Sequence, residues 1–148
     1  MTERVDCPKC RKSCKYYCCN CIIPVTKSQI PKLKLPLQVT VISHPKEKVS
    51  KSSILPAKLV APDQVEILCT TEVPVLRDND NYDEVVLLFP GDNAKQVTDL
   101  TISELKAIKK VVLIDSTWSQ TRMYMNDENL SKLKMVKIQT EKTVFWRY

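Results

Sequence analysis

Glycine is almost missing: Gly91 is the single one in 148 residues. The GxGxxG dinucleotide turn and the GxxxxGK[ST] phosphate loop each need several glycines so that backbone amides can approach phosphate. Rossmann oxidoreductases and P-loop NTPases are therefore excluded. Histidine also occurs once, at His44, which rules out HExxH metallohydrolases and zinc fingers with two histidine ligands, and would route any histidine-based triad through that residue. Long apolar runs are lacking too, since none reaches the roughly 18 residues of a membrane span. The opening MTERVDCPKC has no apolar h-region, so the chain reads as soluble and intracellular.

What is present suits one compact domain preceded by a small module. Hydrophobic residues make up 43% and charged residues 27%, enough apolar content for a real core. The net charge of +6 is unevenly spread: residues 1–60 carry twelve Lys or Arg against three acids, residues 61–148 eleven against fourteen. A polyanion such as nucleic acid is drawn to the first half, although a lysine-rich solvated surface has the same composition.

Six of seven cysteines fall between Cys7 and Cys21. Without a secretion signal this density points to a metal site in a reducing compartment rather than to disulfides. Cys7-Pro-Lys-Cys10 and Cys18-Cys19-Asn-Cys21 form two CxxC knuckles, and four thiolates in two such pairs suit a closed tetrahedral zinc site with a structural role. The expected ligands are Cys7, Cys10, Cys18 and Cys21. Cys19 competes with Cys18 for the third place, and Cys14 is a further nearby thiol. Cys69, in a strand pattern, is expected to be a small buried side chain.

The chain divides into a knuckle (1–24), a proline-rich link (25–36) and a body (37–148). In the body, Leu37–Ser43, Val65–Thr70, Glu84–Phe89, Val111–Ile114 and Met135–Gln139 read as strands. Thr101 and Glu104 form a capping box ahead of a helix through Lys110, with Ile102, Leu105 and Ile108 on one face; Ser119–Leu133 reads as a second helix. Strands alternating with helices predict an α/β fold, a largely parallel sheet flanked by helices.

In such sheets the ligand crevice lies beyond the carboxyl ends of the strands. Phe89-Pro90-Gly91 and Asp115-Ser116-Thr117-Trp118 both fall there. Two readings of the second segment stand side by side: a chemical one, and a structural one with Asp115 or Ser116 as helix N-cap and Trp118 as core.

VVLIDSTWSQT resembles the signature of DTW-domain proteins. His44-Pro45-Lys46-Glu47, Lys51-Ser52-Ser53 with Ala57-Lys58-Leu59, Phe89-Pro90-Gly91 and Phe145-Trp146-Arg147 resemble further segments of that family in the same order. The DST start and the preceding cysteine knuckle are similar to its eukaryotic tRNA-uridine aminocarboxypropyltransferase branch. The resemblance implies a SPOUT-like knotted body. It implies transfer of the 3-amino-3-carboxypropyl group from S-adenosylmethionine to N3 of a D-loop uridine in tRNA, with a slight preference for the nucleus over the cytosol.

On that basis Asp115 is the expected general base. Phe89, Pro90, Gly91, Ser116, Thr117 and Trp118 line the cofactor pocket. His44, Lys51, Ser52 and Arg147 are candidate substrate contacts; His44 serves equally as a turn residue, and Lys51 and Arg147 equally as cofactor-carboxylate contacts or surface charges. Family members continue after the FWR segment with helices that complete the pocket, so the resemblance also implies a C-terminally truncated chain. Two other functions fit the residues: a non-catalytic zinc-containing RNA-binding module, and a SPOUT-type RNA methyltransferase.

Overall fold

A computed structural model of the chain describes residues 3–25, 30–48, 52–76 and 83–139. Its first part is a pair of two-residue-strand hairpins. β1 (Val5–Asp6) pairs antiparallel with β2 (Ser13–Cys14), and β3 (Tyr17–Cys18) with β4 (Ile23–Pro24). Strands this short are not stable alone. What they enclose is mostly sulfur: Cys7, Cys14 and Cys18 are buried, with Cys10, Cys21, Ile23 and Val25 packed against them.

Residues 30–35 are extended and docked rather than loose. Lys32 Nζ donates to Leu59 O (2.9 Å) and Leu33 N–H to Val60 O (3.0 Å). Leu35 N–H donates to Gln64 Oε1 (2.6 Å), and the Gln64 amide donates back to Leu35 O. The segment thus meets the last carbonyls of the following helix, which have no partner within it.

The body runs β5 (Gln38–Ser43), α1 (Ile54–Val60), β6 (Val65–Cys69), β7 (Val85–Leu88), β8 (Lys95–Gln96), a 3₁₀ turn (Val97–Asp99), α2 (Ile102–Ala107), β9 (Lys110–Asp115), α3 (Trp118–Met125), α4 (Glu128–Ser131) and β10 (Lys134–Lys137). Six strands form one sheet in the order β6-β5-β9-β7-β10-β8, and every pairing in it is parallel. The expected parallel sheet is present.

Register sorts the side chains onto two faces. Ile42 lies opposite Ile114, and Leu87 opposite Val112; this face packs on Tyr124, Leu130 and Leu133 of α3 and the segment around α4. Val86 lies opposite Val111 on the other face, where Leu100, Val136 and Ile108 gather around α2. Each fully buried side chain of this size stabilises the fold by about 1.5–3 kcal/mol through loss of apolar surface from water.

Three expectations are corrected. The helix expected over Ser119–Leu133 is two helices, because Asp127 accepts the Asn129 N–H (2.8 Å) and starts α4 afresh after Asn126; a short polar side chain offers the backbone an alternative to the helix. The helix after Thr101 stops at Ala107. Its Ile102 and Leu105 face solvent (73% and 42% exposed), and the core contacts come from Leu100 and Ile108 just outside it. Cys69, at the end of the outer strand β6, is exposed.

Candidate functional site

The two hairpins are built alike. Each CxxC loop closes by a backbone bond across the motif: Arg11 N–H to Cys7 O (2.9 Å), and Ile22 N–H to Cys18 O (2.8 Å). The residue after each motif is left-handed, Arg11 at φ 61° and Ile22 at φ 50°. Glycine is the usual occupant of that region, and a branched residue there is strained. With each loop turned this way, Cys7, Cys10, Cys18 and Cys21 converge, all four sulfurs within 4.8 Å of one another.

Four sulfurs about 2.3 Å from a tetrahedral zinc lie roughly 3.8 Å apart. Cys10 Sγ and Cys18 Sγ, 3.5 Å apart, are already near that spacing. The donor set fits zinc, and Cys18 rather than Cys19 belongs to it. The Cys21 backbone N–H beside Cys18 holds its thiol down to about 6, whereas burial pushes Cys21 up to about 12. Bound metal would replace protons and clamp the hairpins together. Cys14 stays outside the quartet, its thiol donating to Lys12 O (3.1 Å).

The second constellation lies at the carboxyl ends of the strands. β5 ends beside His44 and β9 at Asp115; Ser43 and Asp115 are register partners, and His44 N–H donates to Asp115 O (3.1 Å). From across the β5–α1 connection, Ser52 Oγ donates to Asp115 Oδ2 (2.7 Å) while accepting the Ile54 N–H (3.3 Å). The carboxylate is thereby fixed through one oxygen.

His44 is buried, and its Nδ1 accepts the Lys46 N–H (3.1 Å), so Nε2 carries the proton in the neutral ring. Its edge meets the Tyr124 ring (6.1 Å, 75°). Tyr124, fully buried, donates its phenol to Thr70 O at the end of β6 (2.6 Å), and burial pushes the phenol pKa up. Thr70 and Tyr124 escape a reading of the sequence; fifty-odd intervening residues leave no local signal of such a pair.

The two readings of the DSTW segment resolve residue by residue. Neither Asp115 nor Ser116 caps α3. Thr117 is its N-cap, with its N–H donating to Gln120 Oε1 (3.0 Å), and Ser116 Oγ hydrogen-bonds Thr121 Oγ1 (2.8 Å). Trp118 is not core: it is 77% exposed, its ring 6.3 Å from Phe89 in an edge contact. Gly91 has a packing reason of its own, since a Cβ there would sit 3.2 Å from Met135 Sδ. The structure thus brings His44, Ser52, Asp115 and the Phe89–Trp118 pair to the same end of the sheet. Lys51 and Arg147 lie outside the described residues.

A groove of ≈ 400 Å³ along Leu68, Cys69, Thr70 and Glu72 opens at that end. A separate cleft of ≈ 340 Å³, lined by Asp83, Leu100, Ser103, Glu104 and Lys134, lies at the opposite strand ends, away from these groups. Among the described residues no helix is long and apolar enough to cross a membrane.

A strand-end carboxylate three residues before an exposed tryptophan, preceded by a four-cysteine knuckle, coincides with a family match: the DTW domain matches residues 4–148, and the chain belongs to that family. Its curated relatives include tRNA-uridine aminocarboxypropyltransferase 1 of Mus musculus, 34% identical over 100% of this chain, and that of Homo sapiens, 33% identical over 100%. The Xenopus tropicalis protein of the same name is 31% identical over 98%. The chain spans 62% of the mouse and human proteins and 63% of the frog one. The mouse match extends over 190 residues, more than this chain contains, so that relative carries stretches between matched segments that are missing here. No solved structure matches the chain.

Proposed function

We propose that this chain modifies tRNA, transferring the 3-amino-3-carboxypropyl group of S-adenosylmethionine to N3 of a D-loop uridine. Family membership and the names of the relatives support the reaction class. The observation that carries the reading is Asp115, held by Ser52 through Oδ2 with Oδ1 left for a proton.

Uridine N3–H is weakly acidic, and Asp115 takes that proton as the N3–carbon bond forms. S-adenosylmethionine supplies an electrophilic carbon next to its sulfonium, so that the carbon–sulfur bond breaks and methylthioadenosine leaves. Negative charge developing on the uracil ring meets the Nε2–H of His44, a fixed donor in a buried setting. Phe89 and Trp118 offer an aromatic wall on which a sulfonium is favoured over water, with Pro90, Gly91, Ser116 and Thr117 shaping the turn edges. Lys51 and Arg147 are assigned to tRNA phosphate or the cofactor carboxylate. Zinc takes no chemical part; it holds the knuckle.

Nucleoside mass spectrometry of undermodified tRNA incubated with S-adenosylmethionine tests this. The assay compares the chain with a form extended to the relatives' length. A mass gain of one aminocarboxypropyl group, lost in Asp115→Asn, is the expected result. A gain of one methyl group would make the protein a methyltransferase. No gain with either form, together with retained tRNA binding, would leave a zinc-containing RNA-binding module.

A further inference from the structure

Four cations of the knuckle fall within seven residues, 9–15. In the body, four lysines are answered by carboxylates, Lys95 by Glu104 (3.3 Å), Lys109 by Glu84 (2.5 Å), Lys134 by Asp83 (3.2 Å) and Lys132 by Glu128, while Lys58 and Lys110 donate to backbone carbonyls. In the knuckle, Lys9, Arg11, Lys12 and Lys15 are all exposed and none has an ion-pair partner among the described residues. Arg4 is occupied in holding the first hairpin, donating to Ser13 Oγ (3.2 Å) and Ser13 O (2.7 Å). Beside this group stands Tyr16, 51% exposed, with Lys15 Nζ 5.2 Å from its ring centroid.

Clustered, exposed cations next to an exposed aromatic ring, on a scaffold where four sulfurs converge, fit one chemistry. We infer that the knuckle is an RNA-docking face, in which Lys9, Arg11, Lys12 and Lys15 contact phosphates and Tyr16 stacks on an unpaired base. Phosphate neutralisation supplies sequence-independent affinity, and a ring with a neighbouring ammonium is a stacking platform for any base. The sulfurs with bound zinc carry net negative charge, but Cys7 and Cys18 are buried, so an approaching strand meets the ammonium and guanidinium groups first. Rigidity is part of the fit: the left-handed Arg11 is held by its N–H bond to Cys7 O (2.9 Å) and would be fixed further by zinc on the four sulfurs, so little ordering entropy would be lost on binding.

This inference rests on tRNA as the substrate, and its test is independent of turnover. Zinc-loaded full chain is titrated into fluorescent tRNA, without S-adenosylmethionine, at several salt concentrations. Four phosphate contacts steepen the plot of log K against log salt by about 3. The Lys9→Ala/Arg11→Ala/Lys12→Ala/Lys15→Ala variant is expected to lose most of that slope. Tyr16→Ala is expected to weaken binding about fivefold or more with the slope unchanged. Zinc content equal to wild type confirms that the variants fold, and Lys109→Ala, which removes a paired body lysine, is expected to bind as wild type.

A quadruple variant with unchanged slope and affinity overturns the docking face, as does tighter retention on phosphatidylserine vesicles than on tRNA. Tyr16→Ala binding at wild-type strength overturns the stacking role. Transfer activity alongside an unaffected quadruple variant would remove the docking face and leave the transferase. Salt-steep binding without transfer would do the reverse.

Discussion

Replacing Arg11 by glycine tests whether the knuckle stores backbone strain. Arg11 lies at φ 61°, a conformation that costs an L-residue with a side chain about 1–2 kcal/mol. Glycine avoids that cost but loses about 0.5–1 kcal/mol more chain entropy on ordering. The net gain is about 0.5–1 kcal/mol. Because folding of so small a unit is coupled to metal binding, the gain appears as zinc affinity, about two- to fivefold tighter. A competition titration against a chromophoric chelator reads it directly. Arg11→Ala is the control: it removes the guanidinium but keeps the left-handed Cβ, so its affinity stays near wild type. Equal tightening in both variants would trace the effect to charge, and looser binding in Arg11→Gly would refute stored strain. The same substitution at Ile22 is less clean, since it also deletes a half-buried side chain.

Other predictions follow from single contacts. Ser52→Ala frees Oδ2 of Asp115 and is expected to lower kcat several-fold or more with KM for tRNA nearly unchanged, because a mispositioned base slows the chemical step; steady-state kinetics on the extended form decide it, and an effect confined to KM would make Ser52 a binding residue. Tyr124→Phe leaves the Thr70 carbonyl without its donor, at a cost of about 1–3 kcal/mol, read as a lowered urea midpoint with unchanged m-value. Glu104, held down to about 2 by the Thr101 backbone N–H, then its hydroxyl, then Lys95, stabilises the fold above its ordinary value of 4.5 and loses that contribution as pH falls through about 2. Glu104→Gln should therefore lower Tm at neutral pH, with the gap to wild type closing on acidification toward pH 2 by circular dichroism.

Periodicity makes the sheet legible because β5, β7 and β9 carry Val, Ile and Leu runs or alternations with no competing pattern. CxxC spacing likewise exposes the four cysteines that converge, since chain geometry within a hairpin is local. What escapes is set by distant partners. α1 does not read as a helix because Pro56 and two β-branched ends hide its period, and Tyr124 finds Thr70 only once α3 is packed. Exposure of Ile102 and Leu105 is equally illegible: the capping box fixes where α2 starts, not which side meets the sheet. Asp115 and Ser52 each stand out in the sequence, but their 2.7 Å bond depends on tertiary closure.

That closure has a temporal side. β9 lies between β5 and β7 in the sheet but is made after both, and Gln38 must wait for Lys110 before its side of the ladder is complete. Such long-range parallel pairing is slow and entropically expensive. On a ribosome, β5, α1 and β6 emerge ahead of the rest of the body as a unit with both edges unpaired, and His44 and Ser52 stay apart from their partner until β9 inserts. The strand that delivers Asp115 is also the one that joins the β5–β6 pair to β7, so a half-folded chain has not yet brought this carboxylate to Ser52.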